Sequence, residues 1–220
     1  MKPFLKPLES NASSTEGGSR VLNAGSGPRS PRQLHSVFRD KVWREVRLDI
    51  DPLTEPDLIG SITDMRAFAP ARSFDAIWSS HSLEHLHAHE VPLALSEFRR
   101  VLKPDGFALI TSPDLEAVAG LLLEHGLDHI AYTSPSGPIT PRDMLFGHAE
   151  SIARGKLYMA HNTGLTGASL GKLLLDAGFS TVLAKRERLD LWVVALMDKA
   201  DKAGVQRRLK VAGLDMSDEV

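Results

Sequence analysis

Cysteine is absent from all 220 residues. Its absence excludes disulfides and thiolate metal sites and fits a reducing compartment, so the cytoplasm is the expected location. Long apolar runs are missing too: no stretch approaches the roughly 20 residues that a spanning helix needs, and MKPFLKPLES lacks the apolar segment of a secretion signal. No membrane role is expected. Charge is almost balanced, 26 basic residues against 28 acidic ones for a formal net charge of −2, so no basic field favours nucleic acid as a partner. One glycine is also missing. After an apolar run, RVLNAGSGP places glycines at 25 and 27, but Ser30 stands where the fingerprint G-x-G-x-x-G needs its third, which weakens a plain pyrophosphate-binding reading.

What is present points to one α/β domain. The chain is 42% hydrophobic, enough for one sizeable core and little more. Strands are expected near 20–24, 45–49, 57–61, 74–79 and 107–111, helices near 30–39, 89–102 and 114–124, and a terminal hairpin turns at Lys185 to Arg188 within AGFSTVLAKRERLDLWVVALM. Alternation of this kind predicts a mostly parallel sheet of seven strands with helices on both faces. Residues 1–19 end in SNASSTEGGS and read as a flexible arm, 20–197 as the domain, and 198–220 as a charged tail or loose helix.

The ligand signals follow that order. A glycine turn lets backbone pass close beneath a ligand, and the amides of a following helix start favour polar or anionic groups. The strand EVRLDIDP ends in Asp49, whose carboxylate, if the two strands are parallel neighbours, can accept both hydroxyls of a ribose. Further on come SFDAIWS, then HSLEHL from His81, then EFRRVLKPDG. With VLNAGSGP, LDID, SSHSLEHL and RVLKPDG in this order, the chain resembles the class I S-adenosylmethionine-dependent methyltransferases, type 11-like branch, over about residues 20 to 197. The resemblance implies a Rossmann-like sheet, S-adenosylmethionine as cofactor, and methyl transfer to an acceptor of small-molecule or saccharide type. It also implies a donor site: Asn23, Ala24, Gly25, Ser26 and Gly27 along the methionine and ribose, Asp49 on the ribose hydroxyls, Ile50 beside the adenine, Ser61 and Ile62 at the third strand's end, and Ser80 and His81 at the methionine end. Ser61 stands where relatives commonly carry an acid for the adenine amino group, with Asp64 three residues on.

Between Glu124 and Gly167 periodicity breaks down, and a loop of that length in a compact domain is functional or disordered. Its Tyr132, Met144, Leu145, Phe146, Leu157, Tyr158 and Met159 are too apolar for water, so 125–167 is expected to fold as a lid that shapes the acceptor pocket. Substrate contacts are expected from Tyr132, Arg142, His148 and Asn162. Because the sulfonium methyl is already electrophilic, a base is needed only where the acceptor must lose a proton. His81 is the first candidate, at the sheet's carboxyl edge, with His161 and Asp143 of the lid second.

His81, Glu84 and His85 also match H-x-x-E-H, a zinc-peptidase pattern. That chemistry wants a long helix and a third ligand downstream, whereas this segment directly follows a strand, so no metal is expected; His87 and His89 read as solvated. Two other functions share the glycine turn and acid. An NAD(P)-dependent oxidoreductase leaves RVLKPDG and the terminal hairpin unexplained, and a non-catalytic S-adenosylmethionine-binding relative fits the same motifs. The chain is compatible with a homodimer.

Overall fold

The computed structural model describes residues 18–30 and 33–216; the expected N-terminal arm lies almost wholly outside them. Seven strands form the main sheet: β1 (Ser19–Ala24), β2 (Trp43–Asp49), β3 (Leu58–Ile59), β4 (Phe74–Ser80), β5 (Leu102–Pro113), β8 (Thr181–Glu187) and β9 (Asp190–Leu196). Their order is β3-β2-β1-β4-β5-β9-β8, and β9 alone runs antiparallel to both neighbours. The order reverses between β1 and β4, the switch point outside whose carboxyl ends ligands settle in open α/β sheets. Residues 24 to 27, 49 to 51, 80 to 85 and 113 to 114 all lie along that edge.

Strands buried on both faces read as continuous apolar runs, which is why VLNA and AIWS are buried from end to end. One face is covered by α1 (Val91–Val101) and α5 (Gly167–Asp176), whose Leu95, Phe98, Leu170 and Leu174 pack on Leu22, Ile77 and Ile110. The expected start of the helix near residue 89 moves to Val91, ahead of Pro92; of RVLK, Arg100 and Val101 close the helix as expected, and Leu102 and Lys103 already belong to β5. The signature Lys103 ties the sheet: its ammonium lies 2.7 Å from Asp75, whose other oxygen accepts from the Arg20 amide.

The opposite face departs from expectation. Of the helix foreseen near 30–39, the described residues form one 3-10 turn, Ser36–Phe38. Pro28 and Pro31 lack amide protons at its start, and Trp43 already begins β2, so the window is bounded by a helix-interrupting pair and a strand. Its place is taken from the chain's end: α6 (Lys202–Val211), capped by Asp201, sets Val205 and Leu209 beside Phe38, Phe107 and Leu183. The charged tail is therefore structural from 202 to 216.

The segment expected to form a lid, 125–167, carries regular structure. After α2 (Leu115–His125) come the hairpin β6 (Tyr132–Ser134) and β7 (Gly137–Ile139), then α3 (Pro141–Phe146) and α4 (Ala149–Ala153). Gly147 bridges Ala160 with φ +92°, where a Cβ would stand 2.0 Å from the Met159 carbonyl oxygen. Only glycine closes the loop so tightly.

Candidate active site

The glycine turn is built by the protein around itself. Gly25 (φ +77°) and Gly27 (φ +60°) adopt left-handed backbone, and the Gly25 and Ser26 amides both donate to the Leu48 carbonyl, at 2.9 and 3.0 Å. Among the described residues the first helical turn after it is the 3-10 turn at Ser36–Phe38, away from the glycine turn, so the amides expected beside the glycines are not supplied by it. A Cβ at Gly25 would stand 2.2 Å from Ser82 Oγ, so the close approach that demands glycine is to the segment after β4. The Ser82 hydroxyl lies 3.0 Å from the Ala24 carbonyl and locks the two strand ends together.

Asp49 sits beside this turn. Its Oδ2 accepts from the Gly27 amide at 2.7 Å and its Oδ1 from the Asp51 amide at 2.9 Å. Each oxygen keeps acceptor capacity for a ribose hydroxyl. Below it, the buried Arg47 guanidinium donates to the carbonyls of Gly27, Thr54 and Glu55, which fixes the turn to the loop after β2. Ile50 is 60% exposed, an apolar side chain held open at the cleft where an adenine edge would lie. Ile62 is buried, and Ser61 is engaged with Thr63 through their hydroxyls, 2.7 Å apart. Asp64 turns outward to Arg66, which holds its carboxyl down at about 2. The Asn23 side chain is buried and donates to Glu45 at 2.7 Å, so only its backbone can face a ligand; Ser26 is likewise buried.

His81 follows β4 with φ +49°, unusual for a residue with a side chain. Its Nδ1 is 3.2 Å from Glu84 Oε1 and its Nε2 3.7 Å from Asp190 Oδ1. Burial among protein groups disfavours its charge, but the bond to Glu84 and the two carboxylates outweigh that and raise its pKa. Burial pushes Glu84 up, yet His81 and His85 hold the carboxyl below its ordinary value. Asp190 is raised, chiefly by its own burial.

The lid meets the same segment. The amides of Asn162 and Thr163 donate to the Glu84 carbonyl at 2.8 and 3.2 Å, and Asn162 Nδ2 donates to the His85 carbonyl at 2.8 Å. Glu84, His161 and Asn162 then join Leu115, Val118 and Met144 around a cavity of about 210 Å3. A second tie joins the 125–167 segment to the loop after β2. The Tyr158 hydroxyl donates to Asp51 and is pushed up to about 12, while Asp51 is held below the usual carboxylate range.

Three expected lid contacts are engaged elsewhere. Asp143 forms a capping box with Thr140 and accepts from the Ala149 amide, so it builds α3 instead of facing the reaction. Arg142 pairs with Asp128 on the surface, and His148 Nδ1 is 2.8 Å from Ser151 Oγ. Tyr132 is half-exposed, its hydroxyl raised by burial and by Asp190 and Asp143. Ser80 leads into the His81 turn. The H-x-x-E-H pattern does not assemble on one helix, because only Leu83 to His85 form a 3-10 turn and His81 precedes it in left-handed backbone.

The family model described as "Methyltransferase domain" matches residues 33–110. Over that stretch the sequence is similar to a methyltransferase domain, and the sheet described above is Rossmann-like, the fold of the methyltransferases it resembles. The match begins after the glycine turn, so that turn is placed by the geometry above. Among solved structures, 1,6-didemethyltoxoflavin-N1-methyltransferase of Burkholderia thailandensis, bound to its namesake compound and S-adenosylhomocysteine, is 18% identical with a TM-score of 0.52, the alignment covering 83% of this chain and 72% of that one. A SAM-dependent methyltransferase of Archaeoglobus fulgidus is 15% identical (TM-score 0.53; 82% and 86% covered). A chain from the complex of the Haloferax volcanii Trm112 methyltransferase activator with a methyltransferase is 17% identical (0.53; 82% and 83%). These likenesses concern the fold. No curated protein matches the sequence.

Proposed function

We propose that the protein transfers the methyl group of S-adenosylmethionine to a small molecule, of metabolite or saccharide type, held in the cavity under the lid. The observation that carries this reading is the double role of the segment after β4. Ser82 stands against the donor turn while Glu84, two residues on, lines the cavity. One short stretch of backbone thus borders both the place for the donor and the place for an acceptor, the arrangement in-line transfer needs. The cavity's 210 Å3 and mostly apolar lining suit a compact acceptor rather than a peptide. In this reading Gly25, Gly27, Asp49, Ile50, Ser80 and His81 hold the donor. The S-adenosylmethionine sulfonium supplies the transferable methyl when bound; the chain's own residues orient the acceptor and exclude water. His81, held between Glu84 and Asp190, is the group placed to take an acceptor proton, and His161 and Asn162 line the cavity.

The test is incubation of the purified chain with methyl-deuterated S-adenosylmethionine and a desalted pool of small metabolites. Label appearing in a small-molecule fraction, with matching S-adenosylhomocysteine, supports the reading. Label confined to macromolecules, or no S-adenosylhomocysteine above a donor-only blank, contradicts it.

A further inference from the structure

Glu84, His85 and His161 come from two segments far apart in sequence, yet one ligand-type atom of each lies within 4.8 Å of the others. The two imidazoles are aimed. His85 Nδ1 is 3.1 Å from the Ala160 carbonyl and His161 Nδ1 is 2.7 Å from the Met144 carbonyl. A carbonyl only accepts, so both rings carry their proton on Nδ1 and leave the Nε2 lone pair free. Metal-ligating histidines are oriented in just this way, by donating their other nitrogen to a backbone carbonyl. The third member has a vacancy of its own: Glu84 is 2% exposed, its Oε1 faces His81, and its Oε2 is buried without a hydrogen-bond partner. An orphaned carboxylate oxygen inside a protein is costly unless something cationic answers it.

We propose that Glu84, His85 and His161 bind a divalent transition-metal ion of the zinc class. Two imidazoles and one carboxylate suit zinc and its first-row neighbours rather than calcium or magnesium, which prefer oxygen donors alone, and the chain has no thiolate to select a softer ion. Three protein ligands leave a coordination position open. Since Glu84 and His161 also line the cavity, that position is available to an oxygen of the acceptor, whose proton an adjacent cation would make easier to lose. The ligand set differs from the H-x-x-E-H expectation: His81 is outside it, and the lid residue His161 replaces it. A closed lid is therefore part of the site. The role toward the acceptor rests on the methyl-transfer reading, whereas the ion's binding does not.

Zinc alone is the probe, added to chelator-treated full-length protein and followed by calorimetry and by elemental analysis after desalting. About one equivalent is expected. It should fall at least roughly tenfold in affinity in Glu84→Gln and His161→Ala and persist when the exposed, stacked pairs His87/His89 and His125/His129 are replaced by alanine. S-adenosylhomocysteine titration of each variant checks folding without using the metal, and X-ray absorption of zinc-loaded wild type, which needs no variant, should show two imidazole ligands. The proposal is overturned if wild type retains no stoichiometric zinc, if binding survives Glu84→Gln and His161→Ala, or if it disappears with either exposed pair. Loss of zinc binding with donor binding intact would leave the methyltransferase reading standing.

Discussion

Gly25 and Ser82 form the contact that joins the ends of β1 and β4 at the proposed donor site, and replacing them separately and together measures it. An alanine at Gly25 would take φ +77°, a left-handed conformation costing about 1–2 kcal/mol for a residue with Cβ. Its Cβ would also sit 2.2 Å from Ser82 Oγ and 2.8 Å from Ser82 Cβ, an overpacking that costs about 1–3 kcal/mol when the surroundings must shift. The sum, about 2–5 kcal/mol, corresponds to a melting point lower by roughly 5–20 °C for a domain of this size. Ser82→Gly alone removes one hydroxyl hydrogen bond to the strand end and should cost about 1 kcal/mol. With Oγ and Cβ gone, Gly25→Ala should then cost only its backbone share. The double variant should thus be less destabilised than the sum of the singles by about 1–3 kcal/mol, measured by urea unfolding followed by circular dichroism. Donor affinity should follow the same pattern, poorest in Gly25→Ala alone. Strict additivity, within about 0.5 kcal/mol, would refute the claim that Ser82 is what requires glycine at 25.

Further outcomes are expected elsewhere along the edge. Asp114 caps α2 and is buried against Arg186 of β8, so Asp114→Ala should lower stability by about 2 kcal/mol or more and loosen both the helix start and the lid's return at Leu165, seen as faster amide exchange there. Tyr158→Phe should leave the melting point close to wild type while speeding exchange across 156–160, because the hydroxyl's partner Asp51 is the tie to the loop after β2. The Asp51 carboxyl titrates below its ordinary value in the folded chain. Its stabilising contribution is therefore complete at neutral pH and is lost as pH falls through the depressed value; Asp51→Asn should flatten the acid side of the stability profile and leave the neutral side level. An acid limb identical in the variant would contradict this tie.

The parts legible in the sequence are those whose cause is local or periodic. The strand runs, the glycine turn and Asp49 at a strand end depend on residues near each other, and the main sheet follows the expected strand sequence, although β5 begins at Leu102 and takes in Pro104 to Gly106, which were expected to precede it. The helix expected near 30–39 is a single 3-10 turn among the described residues; LHSVF has an apolar spacing that suits a helix, and one buried residue, Phe38, is what the turn actually delivers to the core. Its replacement by α6 could not be read locally, since Val205 and Leu209 have meaning only against Phe38 and Phe107. In the lid, Asp143 looked catalytic by type, yet the pattern T-P-R-D is a capping box, a signal that was present and outranked. Tyr158 with Asp51, and His161 with Glu84 and His85, join positions about 75 to 107 residues apart, and no spacing rule reaches that far.

The central claim is that S-adenosylmethionine binds at the turn of Gly25 and Gly27 through Asp49. Its most direct test is calorimetric titration of wild type and Asp49→Ala with S-adenosylhomocysteine and, separately, NAD. The account predicts one molecule of S-adenosylhomocysteine per chain, weakened at least roughly tenfold in Asp49→Ala by the loss of charge-assisted hydrogen bonds worth about 1.5–3 kcal/mol each, and no binding of NAD. Equal affinity in the two proteins, or preference for NAD, would contradict it.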